Sequence, residues 1–165
     1  MQMTELQTER LYFRKWQDQD YGAIRELFQD EAAIRYIGGA MGPEASWRLM
    51  ANYLGHYELR GYSYLAVVTK EGDRLVGSVG LWNSEPWPEP ELGYWFFPEA
   101  QGKGYATEAS REVLSFAKRL QLPSLVSYID AENEPSIRLA ERLGARHDGE
   151  TELLAFGVHQ VYRYW

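Results

Sequence analysis

The segment ELGYWFFPEAQGKGYATEAS, Glu91 to Ser110, constrains the fold more than any other part of the chain. An apolar, aromatic run long enough for one strand ends at Pro98, which cannot donate to a ladder. Gly102 and Gly104 then allow a tight turn. From there Ala106, Ala109, Val113, Phe116, Ala117 and Leu120 recur at helical spacing until Leu122–Pro123 stops the helix. The chain must therefore pass from a strand end through a glycine turn into a helix N-terminus. The first helical turn leaves backbone N–H groups unpaired, so the expected occupant of such a junction is an anion.

The flanking sequence supplies the partners of this unit. RLYFRKW alternates as a strand from Arg10. Asp18 or Asp20 can cap a helix carrying Tyr21, Ile24, Leu27 and Phe28. AAIRYIGGAMGP reads as a glycine-rich loop, and Pro43 opens a second helix with Trp47, Met50 and Leu54 on one face. SYLAVVT and RLVGSVGLW are strands joined by KEGD, LVSYI is another strand, and NEPSIRLAERLG is a short helix between Asn133 and Gly144. Two strands close the chain, near Arg146 and across LLAFGVHQVYRYW. The order is β-α-α-β-β-β-α-β-α-β-β, a mixed sheet with packed helices over one domain of residues 1–165.

Composition narrows the chemistry. The 165 residues contain no cysteine, which excludes disulfides, thiolate metal sites and a cysteine nucleophile. A formal net charge of −7 argues against broad contact with nucleic acid or anionic membrane, so any anion must be held locally by backbone N–H groups. MQMTELQTER is too polar for a signal peptide, and a cytoplasmic location is the expectation. His56, His147 and His159 lack metal-ligand spacing, and no Ser–His–Asp arrangement suggests a hydrolase. Aromatic residues reach 15%, enough to line a cleft as well as fill a core; Tyr36, Trp82 and Trp87 are candidates for such a lining.

The glycine motif alone is ambiguous. GKGYAT approaches the dinucleotide fingerprint GxGxxG with Asp130 downstream, but Thr107 replaces the third glycine. With Gln101 included, QGKGYA fits the pattern [QR]-x-x-G-x-[GA], the pyrophosphate loop of the GNAT superfamily of N-acetyltransferases. The chain resembles that superfamily over nearly its whole length. TERLYFR, AIRYIGG, ELGYWF and NEPSIRLAERLGA are similar to its RimJ/RimL branch, which acetylates ribosomal-protein N-termini.

The resemblance implies an α+β GNAT fold: a mostly antiparallel sheet whose central strands, here ELGYWFF and LVSYI, splay apart to admit the pantetheine arm of acetyl-CoA. It implies that backbone groups of Trp95, Phe96 and Phe97 pair with that arm. Backbone N–H groups of Gln101, Gly102, Lys103, Gly104, Tyr105 and Ala106 would cradle the pyrophosphate. Glu91, or its neighbour Glu89, is the expected base for the amine, since an ammonium must lose a proton before attack. Many family members carry a tyrosine acid where this chain has Ala140; the branch instead puts a serine by the sulfur, which nominates Ser136, with Asn133 beside it. The implied activity is acetyl transfer to a primary amine, either a protein N-terminus or a small molecule, without a metal. A non-catalytic acyl-CoA-binding module is the alternative.

Overall fold

The computed structural model describes residues 1–165, the side chain of Ala155 excepted. Seven strands form one sheet in the order β1-β2-β3-β4-β5-β7-β6. They are β1 (Leu11–Arg14), β2 (Tyr64–Thr69), β3 (Leu75–Trp82), β4 (Glu91–Phe96), β5 (Val126–Ile129), β6 (Arg146–Leu153) and β7 (Gly157–Arg163). The helices are α1 (Tyr21–Gln29), α2 (Pro43–Arg60), α3 (Tyr105–Arg119) and α4 (Glu134–Arg142). This is the expected element order and the expected mixed sheet.

Every strand pairing is antiparallel except that of β4 with β5, which is parallel and consists of one residue pair, Glu91 with Val126. Past that pair the strands diverge. In β4 the residues alternate between neighbours, as pleated backbone requires. The N–H of Phe97 donates to Val76 O at 3.0 Å, so the odd-numbered residues turn their backbone toward β3. The even-numbered ones, Leu92, Tyr94 and Phe96, turn theirs toward the gap.

Each sheet face has its own core. One gathers Leu65, Val67, Leu92 and Phe96 beneath Val113, Phe116 and Ala117 of α3. The other gathers Trp16, Phe28, Met50, Tyr53 and Trp95 beneath α1 and α2. Helix α2 begins with Pro43 in its first turn, but it buries a different face from the one expected: Met50 is covered, whereas Trp47 is 50% exposed. Its inward residues are Ser46, Met50, Tyr53, His56 and Tyr57. The polar tips of that face decide the rotation. His56 Nε2 accepts from Asn83 N–H at 3.0 Å, which leaves Nδ1 to donate to Tyr62 O at 2.7 Å. Tyr53 Oη accepts from Trp95 Nε1 at 3.3 Å. Asp20 stands at the start of α1, yet its carboxylate serves Gln17 N–H at 2.8 Å and Arg14 at 2.7 and 2.9 Å rather than capping the helix.

Candidate active site

The divergence of β4 and β5 opens a cleft of about 1190 Å³ that runs through the sheet. At one end lies the glycine turn. Gly104 sits at φ +80° as the residue before α3, with no side chain capping the helix. A residue with a Cβ avoids this left-handed backbone, which explains the glycine. Glu108 N–H already bonds to Gly104 O at 3.1 Å, so the free first-turn N–H groups are those ahead of it, and Tyr105, Ala106 and Thr107 line the cleft. Arg10 braces the turn from outside: its guanidinium donates to Lys103 O at 2.9 Å and to Glu108 at 2.7 Å, and lies 4.6 Å from the Tyr105 ring centre. These groups fit a pyrophosphate in the cleft: neutral backbone donors, an uncapped helix start, and no side chain in the way.

The middle of the cleft is the splayed edge of β4. Ser127 Oγ donates to Leu92 O at 2.6 Å, and Gln101 Nε2 donates to Phe96 O at 3.1 Å. Two side chains thus replace ladder bonds that β5 would have made. This corrects the expected pairing positions: the backbone of Trp95 and Phe97 belongs to β3, and Tyr94 and Phe96 present theirs to the gap. Phe97 and the Lys103 side chain lie outside the cleft lining. The lining includes Glu91, Trp95, Phe96, Gln101, Gly102, Gly104, Asn133 and Ser136.

Asn133 accepts from Ser136 N–H at 3.4 Å and so caps α4. Ser136 Oγ lies 2.7 Å from Tyr94 Oη, so two hydroxyls meet across the gap between β4 and α4. Burial raises the Tyr94 pKa, which keeps the phenol protonated. Tyr94 was missed from sequence, where it reads as an ordinary strand aromatic. Strand alternation, which puts it on the face of Leu92 and Phe96 and away from Trp95, was the available signal. Ala140 is buried against Ile129, Ala145 and Tyr162, and does not supply a group to the cleft chemistry.

Glu91 occupies the far end. Its Oε2 accepts from Trp87 Nε1 at 2.8 Å and its Oε1 from Tyr128 N–H at 3.4 Å. Burial raises its pKa from the ordinary 4.5 to about 7, with those two bonds pulling the other way. Glu89 is a different kind of residue, held by Arg163 at 2.7 and 2.9 Å and with its pKa lowered by that contact. Tyr64, Trp82, Trp87 and Tyr128 line the cleft with Glu91, and so does Tyr36, which is 36% exposed. Gly93 makes room for one of them: a Cβ there would lie 1.8 Å from Tyr64 Oη.

A glycine-lined helix start, a parted strand edge and a buried carboxylate in one cleft agree with what comparison with known proteins returns. Residues 10–146 match the family described as acetyltransferase (GNAT) domain. The chain belongs to the GNAT acetyltransferase family. The uncharacterised N-acetyltransferase YnaD of Bacillus subtilis is 27% identical over 86% of this chain and 82% of its own length. The crystal structure of an acetyltransferase from Agrobacterium tumefaciens is 30% identical, covers 97% of this chain and 93% of its own, and superposes with a TM-score of 0.88. The ribosomal-protein-S5-alanine acetyltransferase of Vibrio fischeri shares the fold, with a TM-score of 0.72 at 21% identity over 96% of this chain and 94% of its own. As a GNAT protein the chain is an acetyl-CoA-dependent N-acetyltransferase, which moves an acetyl group from acetyl-CoA to an amine. Among the described residues no helix is long and apolar enough to cross a membrane.

Proposed function

We propose that this GNAT domain, as a single unit in the cytoplasm, acetylates a primary amine by direct attack, with Glu91 as base and Ser136 paired with Tyr94 at the leaving sulfur. The observation that carries the reading is the parted β4 edge with hydroxyls on one side and a buried carboxylate on the other. Acetyl-CoA supplies the thioester. The chain's residues hold and move protons around it. With a pKa near 7, Glu91 is available as a carboxylate in neutral solution and poised to take a proton from an ammonium. The amine nitrogen forms the N–C bond as the C–S bond breaks. Of the two protons the ammonium gives up in all, one passes by way of Glu91 to water and the other ends on the thiol. The Ser136–Tyr94 pair can donate toward a developing thiolate, where a charge-assisted bond is strongest. Gly102, Gly104 and the first turn of α3 are assigned to the pyrophosphate, with Gln101 and Asn133 beside the arm. The branch resemblance alone points to a protein N-terminus as acceptor; the residues around Glu91, taken up below, favour a small amine instead.

The test is calorimetric titration with acetyl-CoA, followed by thiol-release assays over a panel of primary amines with the parent and Glu91→Gln. The reading requires binding in both proteins and turnover that collapses in the variant. Unchanged turnover in Glu91→Gln would remove the carboxylate from the mechanism.

A further inference from the structure

The acceptor end of the cleft has walls of one chemistry. On the β2–β3 side, Tyr64 and Trp82 pack with Tyr53 at ring separations of 5.0 and 5.8 Å from it. On the opposite side, Trp87 packs edge-on against Tyr128 at 6.1 Å and Phe156 at 5.8 Å. Glu91 lies between these walls and bonds to Trp87, one of their members.

The other carboxylates of the cleft lining each hold a partner of their own. Asp30 accepts from the N–H groups of Ala32 and Ala33 at 3.1 and 3.2 Å, and Glu132 is paired with Arg35 at 2.8 Å. Asp130 accepts from Glu132 N–H at 2.8 Å, so among the described carboxylates of the lining Glu91 is the one that bonds to a member of the aromatic walls. The basic side chains of the lining, Arg142 at the end of α4 and His159 in β7, are not members of these aromatic walls.

Loops that line the cleft also touch one another. A Cβ at Gly38 would stand 3.1 Å from the Phe156 ring, so the connection between α1 and α2 touches the turn between β6 and β7. The Arg35–Glu132 pair joins the same connection to the segment leading into α4. Both contacts link loops that contribute Gly38, Glu132 and Phe156 to the cleft lining.

We infer that the acceptor is a compact, apolar primary monoamine, arylalkyl or branched alkyl, with its ammonium at Glu91 and its hydrocarbon body between the Tyr64–Trp82 and Trp87–Phe156 walls. The inference rests on the acetyl-transfer reading above. Aromatic faces suit both parts of such a ligand, by apolar contact and by attraction of the cation to the rings. The Tyr128 hydroxyl, buried without a partner, adds a polar atom on the same side.

Thiol release should be measured with 2-phenylethylamine, 3-methylbutylamine, spermidine and a decapeptide with a free N-terminus. Quenching of tryptophan fluorescence by 2-phenylethylamine in the presence of CoA gives a readout independent of turnover. The expected result is a kcat/KM for the two monoamines at least tenfold above that for spermidine or the peptide, with saturable quenching. In Phe156→Ala, KM for 2-phenylethylamine should rise and the preference over the peptide should shrink. Equal or better use of the peptide or spermidine overturns the inference, as does acetyl-CoA binding with neither quenching nor turnover of the monoamines. Failure to bind acetyl-CoA would overturn the underlying reading together with it.

Discussion

At the scale of single residues, Glu91 carries two opposite signatures. Its pKa is about 7 in the folded protein against an ordinary 4.5, so the folded state holds this proton more tightly than the unfolded chain does. The resulting stabilisation is complete below about pH 4.5 and is lost as pH rises toward 7, on the order of 3 kcal/mol in total. Glu91→Gln should flatten that part of the profile and make the protein more stable than the parent at pH 8. Urea unfolding of both proteins at pH 5 and pH 8 checks it, since the difference between them cancels other carboxylates. In activity the same substitution should lower kcat/KM about a hundredfold or more at neutral pH and abolish a rising limb near pH 7. The Ser136–Tyr94 pair invites a double-mutant cycle. A bond to a charged group is worth about 1.5–3 kcal/mol, so Ser136→Ala and Tyr94→Phe should each lower kcat by about one to two orders of magnitude. Acetyl-CoA affinity should hold in both. The double variant should lose less than the product of the singles, because each hydroxyl orients the other. A cycle that multiplies cleanly would separate the two residues.

At the scale of elements, the glycines divide by what their backbone needs. Gly104 at φ +80° resists a side chain, and Gly104→Ala should strain the start of α3 by about 1–2 kcal/mol. It should raise KM for acetyl-CoA while leaving kcat nearly intact, the pattern of lost uniform binding. Gly55 is exposed in the interior of α2, and a Cβ there meets nothing within 4 Å. Gly55→Ala should therefore stabilise by about 1 kcal/mol, read as a raised Tm. Element order was legible in the sequence because Pro43, Pro98, Asn133 and Gly144 punctuate it locally. The inward face of α2 was not, since it depends on where His56 and Tyr53 find Asn83 and Trp95, 27 and 42 residues away, as well as the nearer Tyr62. For the same reason the motif nominated Gln101, Gly104 and Ser136, yet not Tyr94, whose contact with Ser136 depends on how β4 and α4 meet.

At the scale of the whole molecule, Arg163 ties the C-terminal strand to the segment that precedes β4. It holds Glu89 with two bonds and Asp148 with a third at 2.6 Å. Arg163→Ala should destabilise by about 1–2 kcal/mol, allowing for partial solvent screening. Because Glu89 has a lowered pKa in the folded state, its contribution is present above about pH 4.5 and lost as pH falls further. That acid-side loss should vanish in Arg163→Ala, as unfolding at pH 4 and pH 7 would reveal. The sheet itself has a further mechanical consequence. Strands β1 to β4 and strands β5 to β7 are two rafts joined in the sheet at one rung, Glu91 with Val126. A rung of that kind is a fulcrum. Breathing that lets a ligand in or out is expected to swing the rafts about it, with the smallest travel beside the pivot and the largest toward Phe96. The carboxylate sits at the still end of the lever and the hydroxyl pair farther along the moving arm, so the proposed base would keep its aim while the seam opens. Relaxation measurements on the amides of Tyr94 and Phe96 against those of Glu91 and Val126 would register the gradient.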